Sequence, residues 1–114
     1  MRMWMINPKL LCRKHLLGEH GEIHKHRHNF VKRHSISNRV FPVVQIEPGS
    51  MESRHDELAN EMIRRGYNHQ SPFEQPDISY LPKHEREAKV EIQKSFEDLK
   101  TRCPECCKSI NTNP

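Results

Sequence analysis

Apolar residues recur at helical spacing in three separate stretches of the chain, and this pattern predicts three α-helices. Their approximate limits are Lys9 to His34, Met51 to Arg65, and Pro82 onwards. Prolines and glycines interrupt the apolar runs at 35–50 and 67–82, which indicates irregular connections. The pattern therefore predicts an all-α fold: a compact three-helix domain over residues 1–102, followed by a short cysteine-containing tail at 103–114.

The first predicted helix has two contrasting faces when its residues are placed about 100° apart on a helical wheel. One side is apolar and carries Leu16, Leu17, Ile23, Phe30 and Val31. The opposite side is polar and carries His15, Gly18, Glu19, Glu22, Lys25, His26 and Asn29. We therefore expect the apolar side to face the core and the polar side to carry out the chemistry.

The second and third predicted helices each have one apolar stripe. The stripes consist of Leu58, Ala59, Met62 and Ile63 in the second helix and of Ala88, Ile92, Phe96 and Leu99 in the third. Ser53 and Asp56 suggest a capping box at the start of the second helix, and Gly66 stands where a helix ends. Both helices are therefore expected to pack by one face only.

Five histidines lie between His15 and His28, and His20, His24 and His28 are spaced four residues apart. Two imidazoles at this spacing can bind one metal ion. A third ligand from the same helix is missing, because the wheel places Glu22 far from both His20 and His24. The pattern favours histidines that pack or hydrogen-bond on the inner side, and a metal-dependent nuclease remains an alternative.

Gly18 and Gly21 flank Glu22, and each costs a helix about 1 kcal/mol relative to alanine. Two explanations for them remain open. Either a ligand or another backbone comes close to the helix beside Glu22, or the glycines allow two helices to pack closely.

Charge points to a polyanionic partner. The 114-residue chain has a net charge of +4 with neutral histidines, and basic residues are concentrated in its first third. Lysine and arginine in such a cluster bind phosphates, and Trp4, Phe41 and Tyr67 could stack on bases or pack in the core. No secretory signal or membrane-spanning apolar run is visible, so a cytoplasmic protein with reduced thiols is expected.

The sequence Cys103-Pro-Glu-Cys106, with Cys107 adjoining, is half of a zinc-binding motif. We expect these three cysteines to supply ligands to a structural zinc ion. A complete site needs further ligands, from Cys12 or from a histidine brought near by folding. Reduced free thiols without a metal are the alternative.

Three segments resemble, in order, parts of the pyrimidine-dimer DNA glycosylase/AP lyase family of the phage endonuclease V type. They are "RMWMINPKLLCRKHLLGEHGEIHK", "SRHDELANEMIRRGYNHQ" and "YLPKHEREAKVEI". The resemblance implies a compact all-α domain that binds double-stranded DNA with damaged bases or abasic sites. It also implies base excision followed by strand cleavage through β-elimination, with no metal or redox cofactor for catalysis; a monomer is expected.

The resemblance also assigns roles to single residues. It implies that the α-amine of the N-terminal residue, here Met1, is the nucleophile, and that Glu22 is the acid/base group. Arg2, His15, Lys25 and Arg27 are the residues expected to position DNA. Three features depart from the family pattern: Met1 stands where the family has a small threonine, Gly21 replaces a basic residue, and the "CPEC" tail replaces an aromatic one. A non-catalytic nucleic-acid-binding module with a structural zinc is the main alternative function.

Overall fold

The computed structural model describes residues 3–69 and 72–112, which form helices and irregular segments without a β-strand. The α-helices of this part of the chain are α1 (Arg13–Val31), α2 (Ser37–Val40), α3 (Met51–Arg64), α4 (Lys83–Arg86), α5 (Ile92–Arg102) and α6 (Pro104–Thr112). The predicted all-α fold is confirmed, although the helices are more numerous than the three predicted. None of them combines the length and apolar composition needed to cross a membrane.

The chain makes a short turn before α1 begins. The 3₁₀ helix Pro8–Leu10 is capped by Asn7, whose side-chain oxygen accepts a hydrogen bond from the backbone N–H of Lys9 at 3.0 Å. Leu11 and Cys12 then adopt extended backbone conformations, and Cys12 is the N-cap of α1. The predicted start of the helix at Lys9 is therefore wrong, because these extended residues separate the first turn from α1.

α1 is buried on more than one side, so the predicted division into an apolar inner face and a polar outer face is wrong. Glu19 and His26 were expected on the polar face, yet both are almost fully buried, whereas Val31 is 55% exposed. For Glu19 the reason is α3, which packs against α1 and whose Arg54 binds the carboxylate.

A buried ion pair joins α1 to α3. Both carboxylate oxygens of Glu19 accept hydrogen bonds from Arg54, at 2.6 Å from Nε and 2.9 Å from Nη2. Arg54 also donates from Nη1 to the backbone oxygen of Ile6 at 2.7 Å. Removing one partner of such a pair costs about 3–5 kcal/mol, because the other charge is left buried and uncompensated.

The second predicted helix is confirmed as α3 in both position and length. Gly66 follows its C-terminus with a φ of 88°, the left-handed conformation that glycine adopts without strain. The predicted capping box is wrong. Ser53 lies inside the helix and donates from Oγ to the backbone oxygen of Ser50, and Ser50 is the N-cap without a side-chain hydrogen bond.

A second ionic cluster fixes the end of α3 to the turn before α1. Glu61 accepts hydrogen bonds from Arg64 and Arg65, and Arg65 donates to the backbone oxygens of Pro8 and Leu11. The hydrogen bond from Arg64 is the largest cause that lowers the pKa of Glu61, to about 2. This buried carboxylate therefore stays ionised and holds the two elements together.

The third predicted helix is split into α4 and α5. The backbone N–H of Val90 donates to Oε2 of Glu47 at 2.7 Å, which holds the segment between the two helices in a non-helical conformation. Ala88 and Val90 are buried there, whereas Ile92, predicted on the apolar stripe, is 49% exposed. The predicted tail also contains a helix, α6, which packs against α5 and the first turn of the chain.

Candidate functional site

Glu22 lies in the middle of α1 with 9% of its surface exposed. Its Oε1 atom accepts a hydrogen bond from Nε2 of His26, one helical turn further on, at 3.0 Å. Nδ1 of His26 lies 3.3 Å from the amide nitrogen of Asn29. Because that nitrogen can only donate, the hydrogen-bond pattern assigns the imidazole proton to Nε2, facing the carboxylate.

The charge state of His26 follows from its burial. Burial lowers the pKa of His26 below its ordinary 6.5, although the nearby carboxylate of Glu22 opposes the shift. His26 is therefore neutral at pH 7 and acts towards Glu22 as a hydrogen-bond donor. A buried carboxylate held in one orientation, with a small part of its surface exposed, can exchange protons with a bound ligand.

The N-terminal segment is attached to the loop at 36–46, which contains the short helix α2 and also borders His26. The backbone N–H of Met3 donates to the oxygen of Gln45 at 2.8 Å, and the N–H of Gln45 donates to the oxygen of Arg39 at 2.7 Å. The positive charge of Arg39 contributes to lowering the pKa of His26. Met1 and Arg2, predicted as nucleophile and DNA contact, lie outside the described residues.

The other residues predicted to position DNA differ in their surroundings. Lys25 is exposed on α1, three residues from Glu22. Arg27 donates from Nε to the backbone oxygen of Glu74 at 2.7 Å, so part of its guanidinium is engaged within the protein. His15 does not face outward with Lys25 but lies among cysteine side chains.

Cys12, His15, Cys103 and Cys106 form one group, called here the cysteine cluster, whose ligand atoms all lie within 4.8 Å of one another. Its three thiols are buried, and burial raises the pKa of the Cys106 thiol to about 12. Cys107, which the sequence placed with Cys103 and Cys106, is outside this group. It is half-buried and accepts a hydrogen bond from Asn111.

Four imidazoles from α1, from α3 and from the loop after α3 contact one another. His20 and His24 of α1, His55 of α3 and His69 of the following loop are called here the histidine cluster. Burial and the three neighbouring imidazoles lower the pKa of His20 to about 4. Sequence reasoning missed this group because its members on α3 and in the loop carry no spacing signal.

Two surface features lie near Glu22 and its neighbouring loop. Gly21 is exposed, and a Cβ atom added there would meet no described atom within 4 Å. This excludes close helix packing against described residues as the reason for this glycine. Phe41 is 76% exposed in the loop at 36–46, whereas Trp4 is buried in the core.

Together these elements define a small all-α protein with a buried, hydrogen-bonded carboxylate on α1 and an N-terminal segment bound to the loop at 36–46. Residues 1–75 match the family model described as pyrimidine dimer DNA glycosylase, and the chain belongs to that family. The family assigns the chain to DNA repair and to glycosylase chemistry on DNA. No curated protein and no solved structure matched the chain. Cys103 and Cys106 lie beyond the matched residues.

Proposed function

We propose that the protein is a DNA glycosylase with AP lyase activity, which uses the α-amine of Met1 as nucleophile and Glu22 as acid/base group. Its substrate is double-stranded DNA with a pyrimidine dimer or an abasic site. The observation that carries the proposal is the buried Glu22 carboxylate, oriented by His26. The loop that binds the N-terminal segment also carries Arg39, whose charge acts on His26. Family membership supports the glycosylase part.

The α-amine suits this reaction because its ordinary pKa is about 7.7–8.0, so a large fraction is neutral and nucleophilic at neutral pH. It attacks C1′ of the damaged nucleotide, and the bond from C1′ to the base breaks. Loss of the amine protons and opening of the sugar at O4′ give an imine. Removal of a proton from C2′ then expels the 3′-phosphate and cuts the strand, and water hydrolyses the imine.

Glu22 would serve two of these steps. As an acid it protonates the sugar oxygen during ring opening, and as a base it accepts a proton in the elimination. The hydrogen bond from His26 holds the carboxylate while leaving its other oxygen for the substrate. Exposed Lys25 and the net charge of +4 favour binding of the DNA backbone close to this carboxylate.

The imine gives a direct test. Borohydride reduces an imine to a stable amine, so it should trap the wild-type protein covalently on a duplex with one abasic site. Peptide mapping should locate the adduct at the N-terminal peptide, and blocking the α-amine should abolish it. The Lys100→Arg variant, at an exposed lysine of α5 that the proposal does not use, is the matched control and should keep trapping. An adduct that forms equally after N-terminal blocking contradicts the proposed nucleophile.

The Glu22→Gln variant tests the carboxylate. It should bind abasic DNA with a Kd within about twofold of the wild type, while strand cleavage falls by at least about 100-fold, the scale of general acid–base catalysis. Glu52→Gln, at an exposed position of α3, is the control and should leave cleavage unchanged. Cleavage by Glu22→Gln at the wild-type rate would favour a non-catalytic role for this carboxylate.

A metal-dependent nuclease is the second candidate, and the histidine cluster is the observation that favours it. Such an enzyme loses strand cleavage in the presence of a chelator and forms no borohydride adduct. The imine mechanism keeps trapping when the chelator is added to folded protein. A non-catalytic binding module binds DNA but shows neither trapping nor cleavage. Trapping and cleavage reactions, each with and without chelator, therefore separate the three functions.

A further inference from the structure

The cysteine cluster combines two short motifs from opposite ends of the chain. Cys12 and His15 lie at the start of α1, and Cys103 and Cys106 lie at the junction of α5 and α6. Both pairs have two intervening residues and both straddle a helix start. This arrangement brings the side chains of each pair to the same side, and the fold places the two pairs against each other.

The distances within the cluster match the edges of a tetrahedron around one ion. Zinc bonds of about 2.3 Å to sulfur and about 2.0–2.1 Å to nitrogen place sulfur ligands about 3.8 Å apart and sulfur–nitrogen pairs about 3.5 Å apart. The Sγ atoms of Cys12 and Cys103 are 3.8 Å apart. Nδ1 of His15 lies 3.6 Å from Sγ of Cys106 and 3.1 Å from Sγ of Cys12.

Backbone hydrogen bonds to the sulfur atoms also favour thiolates over thiols. The N–H of Cys12 donates to Sγ of Cys106 at 3.2 Å, and the N–H of Cys106 donates to Sγ of Cys103 at 3.4 Å. Such donors stabilise the negative charge of metal-bound sulfur. Three buried sulfur atoms and one imidazole nitrogen within 4.8 Å of one another form a donor set that one cation at their centre would satisfy.

We propose that Cys12, His15, Cys103 and Cys106 bind one Zn²⁺ ion with a structural role. Three sulfur ligands and one imidazole select zinc, and four protein ligands leave no position for a reacting water. The ion joins α6 to the first turn of α1. This proposal is independent of the glycosylase/lyase proposal, because it involves neither Met1 nor Glu22.

The histidine cluster carries a second and separate inference. Nε2 of His20 lies 3.2 Å from Nε2 of His55 and 2.9 Å from Nε2 of His69. One imidazole nitrogen carries at most one proton, so it forms a good hydrogen bond with only one of these two neighbours. Nε2 of His24 is buried without a hydrogen-bond partner among the described residues. Hydrogen bonds alone therefore leave this cluster unsatisfied.

Surrounding groups orient the histidine cluster as they do in metal sites. Nδ1 of His55 lies 3.1 Å from a carboxylate oxygen of Asp56, which directs the proton to Nδ1 and leaves Nε2 as a ligand. The ring of Phe73 stacks on His55 and meets His24 edge-on, which covers the cluster. The geometry points to a second divalent ion, again Zn²⁺, bound by His20, His24 and His55, whose ligand nitrogens all lie within 4.8 Å of one another.

Metal content tests both sites on the full-length protein purified under reducing conditions from zinc-supplemented medium. Elemental analysis should give two zinc ions per chain for the wild type. Cys106→Ser should reduce this to one, as should His24→Gln. Cys107→Ser and His28→Gln are matched controls, a neighbouring cysteine and an exposed histidine of the same helix, and both should keep two ions.

Cobalt replacement distinguishes the two sites without relying on stable variants. Zinc is first removed from the wild-type protein, which is then titrated with Co²⁺ as the only metal. Absorption from thiolate-to-metal charge transfer should appear and correspond to one Co²⁺ ion per chain. Cys107→Ser should show the same absorption. The cysteine site is overturned if this absorption is absent and the protein instead contains four free thiols, or a disulfide between two of its cysteines. The histidine site alone is overturned if the wild type contains one zinc ion per chain, and if Cys106→Ser loses this ion while His24→Gln keeps it.

Discussion

His26 is the residue on which the orientation of Glu22 depends. Its imidazole is a neutral donor to the carboxylate, and Asn29 fixes the opposite ring nitrogen. The sequence placed His26 on the same helix face as Glu22 but gave no reason to connect them. Their spacing of four residues is common for unrelated side chains on a helix, so only the burial of both distinguishes this pair from the others.

Replacing His26 with leucine should lower kcat for abasic-strand cleavage by about tenfold, the equivalent of one hydrogen bond of about 1.4 kcal/mol, while KM stays within about twofold. His26→Gln, which retains an N–H donor, should recover part of the loss. Steady-state cleavage of an abasic duplex measures both constants. A purely structural role for His26 would instead reduce the fraction of folded enzyme in both variants and leave kcat per folded molecule unchanged.

Gly21 gives a prediction in which stability and function change in opposite directions. Alanine at this open, helical position should raise the free energy of unfolding by about 1 kcal/mol, or Tm by about 4 °C. If DNA approaches the helix beside Glu22, the added methyl group should also weaken binding to abasic DNA. Binding by Gly21→Ala at wild-type strength would show that the ligand does not come close to this backbone.

The matched control for this substitution is Gly66→Ala. Gly66 has a φ of 88°, so an alanine there is strained and should lower the free energy of unfolding by about 1 kcal/mol. It lies at the end of α3, away from Glu22, and DNA binding per folded molecule should not change. Thermal unfolding and DNA titration of the two variants therefore separate helix propensity from ligand contact.

Among the helices, α3 has the clearest anchor at its C-terminal end. Because the pKa of Glu61 is lowered to about 2 in the folded protein, its stabilising effect is fully present above about pH 4.5 and is lost as the pH falls towards 2. Glu61→Gln should lower the free energy of unfolding by about 2 kcal/mol at pH 7.

The pH dependence identifies the origin of this loss. The difference between wild type and Glu61→Gln should shrink as the pH falls from 4.5 to 2, because the wild-type carboxyl group then becomes protonated as well. Denaturant unfolding at several pH values measures the difference. Glu97→Gln, on the exposed side of α5, should show no such trend. A constant difference across this range would assign the effect to packing instead of charge.

The loop at 36–46 presents an exposed aromatic ring at the side of the molecule where the N-terminal segment is attached. Phe41→Ala should leave the free energy of unfolding within about 0.5 kcal/mol, because the ring is 76% exposed. It should weaken binding to dimer-containing DNA by about 1–3 kcal/mol if the ring stacks on a base. Val31→Ala removes exposed apolar surface at another position and is the control. It should leave DNA binding unchanged if the effect of Phe41→Ala comes from stacking.

At the scale of the whole molecule, the sequence predicted what depends on local spacing. The limits of α3 and the glycine that ends it followed from an apolar stripe and from turn chemistry. The break between α4 and α5 did not, because it depends on the carboxylate of Glu47, more than forty positions earlier in the chain.

The same distinction applies to the candidate sites. The spacing of Cys103 and Cys106 predicts a metal-binding pair, with Cys12 among its candidate partners. Cys12 and His15 have the same spacing, but only the fold shows that the two pairs meet. His55 and His69 join His20 only through the packing of α3 and its following loop on α1, which no local pattern encodes.

The packing of Trp4 against His15 gives the protein a built-in optical probe. Trp4 is the only tryptophan in the chain, is 4% exposed, and meets the His15 ring edge-on with centroids 5.8 Å apart. Its fluorescence emission therefore arises from one position, between the N-terminal segment and the cysteine cluster. A metal ion arriving at His15 changes the environment of the indole directly. Emission from a single dye-free sample thus follows, in real time, the state of the segment that carries the proposed nucleophile.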